Sequence, residues 1–310
     1  MIISLNPTYH CNFRCSFCYL TKDQLADSTK VSLDTLTQRF SEIISRQPID
    51  GVDLYGGEVT YLPDEYVYDL IDVIKLYYPG KINIITNFSK SKGYFYRNDV
   101  EVIVSWDYKA RERWKEVYNR MVEFSKPFRV LLLASKNLIK QDVNDIIQHL
   151  NGLPNLETVE IKPYSTNQAN QHDVAYRDFE EFVKKFITSS KRKFSLDNIY
   201  LIQDSINGTN NSFSDDHVYI NPNGKYTVLE FDSNNHEYFL ELDSFDEYLR
   251  WTQEEKEKVY MNGYCSVCPY LGSCLSEHLR EVKDISESCN GFKLLLDWYA
   301  KNYDFKRYVK

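Results

Sequence analysis

Nowhere in the 310 residues does an apolar run approach the roughly 18 residues that a membrane-spanning helix needs, and the N-terminus has no basic segment followed by a hydrophobic one. These absences point to an intracellular, cytoplasmic protein without a membrane partner. Glycine (11) and proline (9) are too scarce for a collagen-like or low-complexity chain, while 43% hydrophobic residues suffice for a packed core. Positive charge is also in the minority, with 37 Lys and Arg against 45 Asp and Glu and a net charge of −8. Binding to a phosphate backbone is therefore not the expected activity, and no nucleic-acid partner is expected. Cysteine is sparse and oddly placed. There are seven, an odd number unsuited to a disulfide framework in an unsecreted chain, and none lies between Cys18 and Cys265.

The first group, Cys11, Cys15 and Cys18, puts three thiols in eight residues directly after the short apolar run Ile2 to Leu5. Three thiolates hold three irons of a four-iron cubane and leave the fourth open, whereas a closed structural zinc site wants four ligands. His10 is available to complete a zinc set, so that reading stays open at this point. The spacing Cys-x3-Cys-x2-Cys, with Phe17 before the last Cys, resembles the motif of the radical S-adenosylmethionine (radical SAM) enzymes. The resemblance implies a 4Fe–4S cluster on these three cysteines, with SAM chelated to the open iron. It further implies SAM cleavage to methionine and a 5′-deoxyadenosyl radical, with Phe17 near the adenine. The protein's part is then to bind, orient and exclude water.

Other motifs fit the same resemblance. Gly56-Gly57-Glu58 directly follows the apolar strand Val52 to Tyr55, where two glycines permit a close backbone approach and a carboxylate can pair an ammonium. It resembles the family's Gly-Gly-Glu motif, which implies that Glu58 holds the methionyl amine of SAM. Asn87, Ser105 and Asp107 stand at the ends of two further apolar strands, where family members place groups for the ribose and carboxylate of SAM. Ser, Asp and Asn at such places are also ordinary caps and turn formers.

Strands are expected at 2–6, 51–55, 81–86, 100–106, 128–134 and 157–162. Amphipathic helices between them are capped by Ser32, opened by Pro63, and found near 108–124, 141–150 and 176–190. This is an α/β pattern, and six such units match the partial (β/α)6 TIM-like barrel of the resembled family, with its site at the C-terminal strand ends. A basic cluster, Lys184, Lys185, Lys191, Arg192 and Lys193, leads to a polar stretch over 204–216, so a boundary is expected near 195–215. The expected division is a radical SAM partial barrel over 1–200 and a small α+β domain over 201–310. Within the latter, Asn221 to Gly224 reads as the turn of a hairpin.

Cys265, Cys268, Cys274 and Cys289 supply four thiolates, enough to close a second cubane or a zinc site. Their surroundings resemble the SPASM domain appended to many radical SAM enzymes, which usually holds two auxiliary clusters. Here the last position of one ligand run is His278, and Leu229 stands where another Cys is expected after Gly224. The resemblance then implies that one auxiliary cluster remains, ligated by Cys265, Cys268, Cys274 and Cys289, giving two 4Fe–4S clusters in all. The residue matching an acid of sulfatase-maturing relatives is Glu230, a candidate acid–base group.

The resemblance implies a peptide maturase: hydrogen abstraction from a ribosomally made peptide, with the auxiliary cluster taking an electron and a thioether or carbon–carbon crosslink forming. Implied partners are the precursor peptide, a separate leader-recognition protein, since the first strand begins at residue 2, and a flavodoxin or ferredoxin as electron donor. An acidic segment over 230–247, read as unpaired, suggests a basic substrate. The alternatives are an aminocyclitol-type small-molecule dehydrogenase, a peptide epimerase, which needs a spare thiol, and a non-enzymatic zinc-binding module.

Overall fold

The computed structural model describes residues 1–164, 172, 174–229, 239–275 and 292–303. One ten-stranded sheet organises them in the order β10-β9-β8-β1-β2-β3-β4-β5-β6-β7. The strands are β1 (Ile2–Leu5), β2 (Gly51–Leu54), β3 (Ile82–Thr86), β4 (Val100–Ser105), β5 (Phe128–Ala134), β6 (Leu156–Pro163), β7 (Ser195–Leu196), β8 (His217–Ile220), β9 (Tyr226–Leu229) and β10 (Phe239–Leu242). Strands β1 to β7 pair in parallel in chain order. The helices are α1 (Lys22–Ala26), α2 (Leu33–Ile44), α3 (Asp64–Lys75), α4 (Trp114–Glu123), α5 (Val143–Asn151), α6 (Tyr176–Thr188), α7 (Asp197–Asn207), α8 (Phe245–Met261) and α9 (Lys293–Asn302). This is the expected parallel α/β architecture. Ser32 caps α2 by accepting from Thr35 N–H, and Pro63 stands at the N-cap of α3.

The two faces of the parallel strands have different chemistry, and period two assigns each residue to one of them. Ile3, Leu5, Val52, Leu54, Ile82, Ile84, Val102, Val104, Val130 and Leu132 are buried in a single core cluster that also takes in Leu36, Phe40, Leu70 and Ile74 of α2 and α3. The alternate residues Ser4, Asp53, Ile85, Ser105, Leu131, Leu133, Glu160 and Lys162 line the barrel interior instead. Register keeps that inner row aligned: Ser4 lies beside Asp53, Ser105 beside Leu131, and Leu131 beside Glu160.

Two features depart from the sequence expectation. The helix expected over 108–124 begins only at Trp114. Before it, the Asp107 carbonyl accepts from the N–H groups of Ala110 and Arg111 in a turn, and Lys109 and Arg113 have positive φ. The polar stretch read as a boundary opens with α7, whose Ile202, Ser205 and Ile206 are buried. Asn198 in α7 both donates to and accepts from the Ile161 backbone, at 2.8 Å each way. Its first buried polar residue thus satisfies an internal backbone group instead of facing solvent. The hairpin β8–β9 turns at Asn221–Gly224 as expected, and β8 pairs in parallel with β1, so the barrel sheet continues into it and the edge of β1 is covered.

Candidate functional site

The cysteine loop leaves the C-terminal end of β1 and is anchored by its own backbone. Gly57 N–H donates to the Thr8 carbonyl (3.0 Å), Glu58 N–H to that of His10 (2.8 Å) and Cys11 N–H to that of Leu25 (3.2 Å). The glycines are needed for this apposition. A Cβ at Gly57 would stand 2.3 Å from the carbonyl oxygens of Tyr9 and His10, and Gly56 has φ +127°. The close approach expected of this pair is thus made to the cysteine loop, and both glycines also line the cavity beside it.

That cavity, about 340 Å³, lies at the C-terminal strand ends and is lined by Cys11, Cys15, Cys18, Phe17, Asn87, Ser105 and Arg111 among others. Burial pushes the Cys11 thiol up to about 12, opposed by an N–H from Phe13 and reinforced by the nearby Glu58 charge. It pushes Cys15 up to about 11, against the Arg111 guanidinium, and raises Cys18 as well. Burial thus disfavours the thiolate at all three positions, and a bound cationic group would favour it again. Phe13 N–H (3.4 Å) and Asn87 Nδ2 (3.8 Å) already point at Cys11 Sγ, the outer-shell donors a ligating sulfur wants. Among the described residues, no three Cys, His, Asp or Glu side chains close on one point as a single metal ion would need. The three thiols all border the cavity.

Arg111 is the residue that sequence reasoning missed. Its guanidinium stands over the Phe17 ring at 5.3 Å and donates to Asp107 Oδ2 from Nε (2.9 Å) and Nη2 (2.8 Å) and to Ser105 Oγ (2.7 Å). Burial alone would lower its pKa, but the Asp107 charge and, after it, Cys15 outweigh this and hold it above the ordinary value. Asp107 is fully buried and takes Leu133 N–H on its other oxygen (2.8 Å); it orients Arg111 and does not itself line the cavity. Ser105 lines the cavity while accepting from Arg111. The available signal was the i,i+4 spacing of Asp107 and Arg111 after a strand end.

Glu58 is likewise set back from the lining. One of its oxygens accepts from Thr60 N–H (3.0 Å), Thr60 Oγ1 (2.8 Å) and Thr86 Oγ1 (2.6 Å), the other from Asn87 N–H (2.7 Å). It is 1% exposed and has no cation paired with it among the described residues. A buried carboxylate without a counter-charge fits an ammonium arriving with a ligand. Thus Phe17, Gly56, Gly57, Asn87 and Ser105 border the cavity with the three cysteines, and Glu58 and Asp107 stand directly behind them.

Beyond Arg111 the same cavity continues between two walls. One carries Ser4, Asp53, Tyr55, His217 and Tyr219; the other is formed by Phe179, Leu201, Ile202, Leu275, Phe292 and Leu295. His217 Nε2 lies 2.7 Å from Ser4 Oγ, and its ring stacks on Tyr219 at 4.8 Å.

Residues 5–104 match the Radical SAM superfamily. This part of the chain carries a radical SAM domain, which supports reading the chain as an enzyme. No curated protein matches it in sequence. Among solved structures, anSMEcpe with bound AdoMet and the Cp18Cys peptide superposes with a TM-score of 0.67 at 13% identity, covering 97% of each chain. Streptococcus suis SuiB bound to its precursor peptide SuiA gives 0.57 at 16% identity, over 88% of this chain and 70% of the other. At these identities the likeness is one of fold.

The second cysteine group lies on the loop after α8. Cys265 and Cys268 are half-buried and Cys274 is buried. The loop is fastened to the barrel: Asn210 Nδ2 donates to the Cys274 carbonyl (2.8 Å) and Ser273 Oγ to the Ser205 carbonyl of α7 (3.1 Å). Cys289, His278 and Glu230 lie outside the described residues. The acidic segment is not unpaired where it is described. Asp243 pairs Lys225, Asp246 pairs Arg46 (3.1 Å), Glu247 lies 4.0 Å from Arg250, and Glu241 accepts from Asn221 (2.6 Å). Three of its described acids are thus paired with cations within the fold, which weakens the argument for a basic substrate; Asp232 and Glu237 lie outside the described residues. Among the described residues no helix is long and apolar enough to cross a membrane.

Proposed function

We propose that this radical SAM enzyme is a peptide maturase: it abstracts a hydrogen from a ribosomally made peptide and yields an oxidised product, a thioether or carbon–carbon crosslink. One observation carries the reading. Cys11, Cys15 and Cys18 line the same cavity as Arg111, Phe17 and the Gly56–Gly57 turn, and that cavity continues into a mixed polar and apolar pocket. When bound there, a 4Fe–4S cluster and SAM supply one-electron cleavage and hydrogen abstraction. The chain's own residues bind and orient. Arg111, held in place by Asp107 and Ser105 through Nε and Nη2, offers its remaining Nη1 N–H groups to the SAM carboxylate, and the buried Glu58 offers its charge to the amine. Phe17 borders the position for the adenine, and Asn87 and Ser105 border the same cavity for SAM hydroxyls. Phe179, Phe292 and Leu295 exclude water from the far half of the pocket.

Cys265, Cys268, Cys274 and Cys289 are read as ligands of one auxiliary 4Fe–4S cluster that accepts an electron, and Glu230 as the acid–base group. The division into a barrel over 1–200 and a SPASM-like part over 201–310 belongs to the same proposal. Both anSMEcpe and SuiB are solved with peptides, which supports a peptide substrate. Coexpression with any short reading frame found beside the gene, followed by mass spectrometry, tests it. Loss of two hydrogens from the peptide is expected, whereas an unchanged mass with deuterium taken from solvent would contradict it in favour of epimerisation.

A further inference from the structure

SAM cleavage consumes an electron that has to reach the cysteine loop from outside. We infer that the outer face of this loop, around Arg14, Lys90, Arg113 and Arg120, is the docking surface for an acidic one-electron donor protein of the flavodoxin or ferredoxin kind. The inference rests on the radical SAM reading above.

Cys11 is only 9% exposed, yet each of its neighbours leads in a step or two to a surface cation. The His10 ring lies 5.5 Å from that of Tyr61, and the Lys90 ammonium stands over the same Tyr61 ring at 4.4 Å. Asn12 Nδ2 donates to Ser89 Oγ (2.9 Å), the residue before Lys90. The Phe13 ring lies under the Arg113 guanidinium at 5.5 Å. Arg14, itself exposed, donates to the carbonyls of Cys11 (2.5 Å) and Phe13 (2.8 Å), and Arg120 donates to that of Phe88 (3.4 Å).

Carboxylates do not cancel this group. Glu116 is shared by Arg113 (2.6 Å) and Arg120 (3.8 Å), Glu112 is exposed, and Asp64 is taken by Lys92. Among the described residues Arg14 and Lys90 have no carboxylate partner. Four cations thus face two carboxylates, on a chain whose net charge is −8. Such a local reversal of sign steers an acidic partner to one place. Tyr61, 43% exposed in the middle of the patch, adds the aromatic and arginine composition that protein interfaces favour. The other basic cluster, Lys184 to Lys193, lies at the end of α6 and in the loop before β7. That is the N-terminal end of the parallel strands, opposite to the cysteine loop.

The position of that second cluster provides the control. The full chain, loaded with iron and sulfide under anaerobic conditions, is titrated calorimetrically with flavodoxin, and its reduction by flavodoxin hydroquinone is followed by stopped flow. In Lys90→Glu/Arg113→Glu, affinity and reduction rate should fall tenfold or more and lose their steep dependence on salt. Lys191→Glu/Lys193→Glu, with the same change in charge, should stay within twofold of the parent chain. Lys90→Glu alone, whose ammonium stands over the Tyr61 ring, should show part of the loss and guards against misfolding of the double variant. Dithionite-driven SAM cleavage should be unchanged in all three. Equal losses in the two double variants, or none in either, would overturn the docking surface while leaving the radical SAM reading intact. A parent chain that cleaves no SAM with dithionite would overturn both.

Discussion

Arg111 concentrates the residue-scale account. A guanidinium fixed by a fully buried carboxylate and a strand-end hydroxyl presents its remaining N–H groups to the cavity without paying rotamer entropy on binding. Arg111→Ala should weaken SAM binding to the cluster-loaded chain about 10- to 100-fold, the size expected for hydrogen bonds to a charged group, as measured by equilibrium dialysis. Asp107→Asn should weaken it less, because the amide still accepts one bond but no longer balances the charge. The thiols give a prediction with a definite sign. Because burial raises Cys15 to about 11, the metal-free chain at pH 8 holds that thiol protonated. Its alkylation by iodoacetamide, mapped by mass spectrometry, should be slower than that of free cysteine and should rise steeply between pH 9 and 11. Equal rates at pH 8 would show that the loop is open to solvent.

At the scale of elements, α7 is the piece that joins the barrel to the second cysteine loop. Asn198 closes both backbone bonds of Ile161 in β6, while Ser205 at the far end of the helix accepts from Ser273 beside Cys274. Asn198→Ala leaves a buried N–H and carbonyl unmet and should cost about 2 kcal/mol, read as a lower urea midpoint with an unchanged slope. This helix also shows where the sequence was legible and where it was not. The strands, and the helices capped by Ser32 and Pro63, announced themselves through period and caps, because their burial is one-sided. Asn198 of α7 is polar yet turned inward to a strand's backbone, and hydrophobic periodicity does not register such bonds. The same holds within the site. Cys11, Cys15, Cys18 and the Gly56–Gly57 turn are local motifs, whereas Arg111 acquires its place only when β4 and β5 bring Ser105, Asp107 and Leu133 together. Pairing of the acidic segment with Lys225 and Arg46 was equally non-local.

For the whole molecule, the sheet runs unbroken from β7 through β1 to the hairpin β8–β9–β10, so the wall carrying His217 and Tyr219 is rigidly continuous with the strand that launches the cysteine loop. The two cysteine groups are separable by mutation on this plan. Cys15→Ala should abolish deoxyadenosine formation, whereas Cys268→Ala should retain part of it while losing the oxidised peptide, both followed by chromatography of the reaction products. Loss of SAM cleavage in both variants to the same extent would mean that the second group holds the fold of the first.

The most direct test of the central claim is the metal, sulfide and SAM-cleavage stoichiometry of the anaerobically purified full chain. Two cubanes predict about eight irons and eight labile sulfides per chain, with deoxyadenosine released from SAM under a strong reductant. A colourless protein holding zinc, with no labile sulfide and no SAM cleavage, would contradict it.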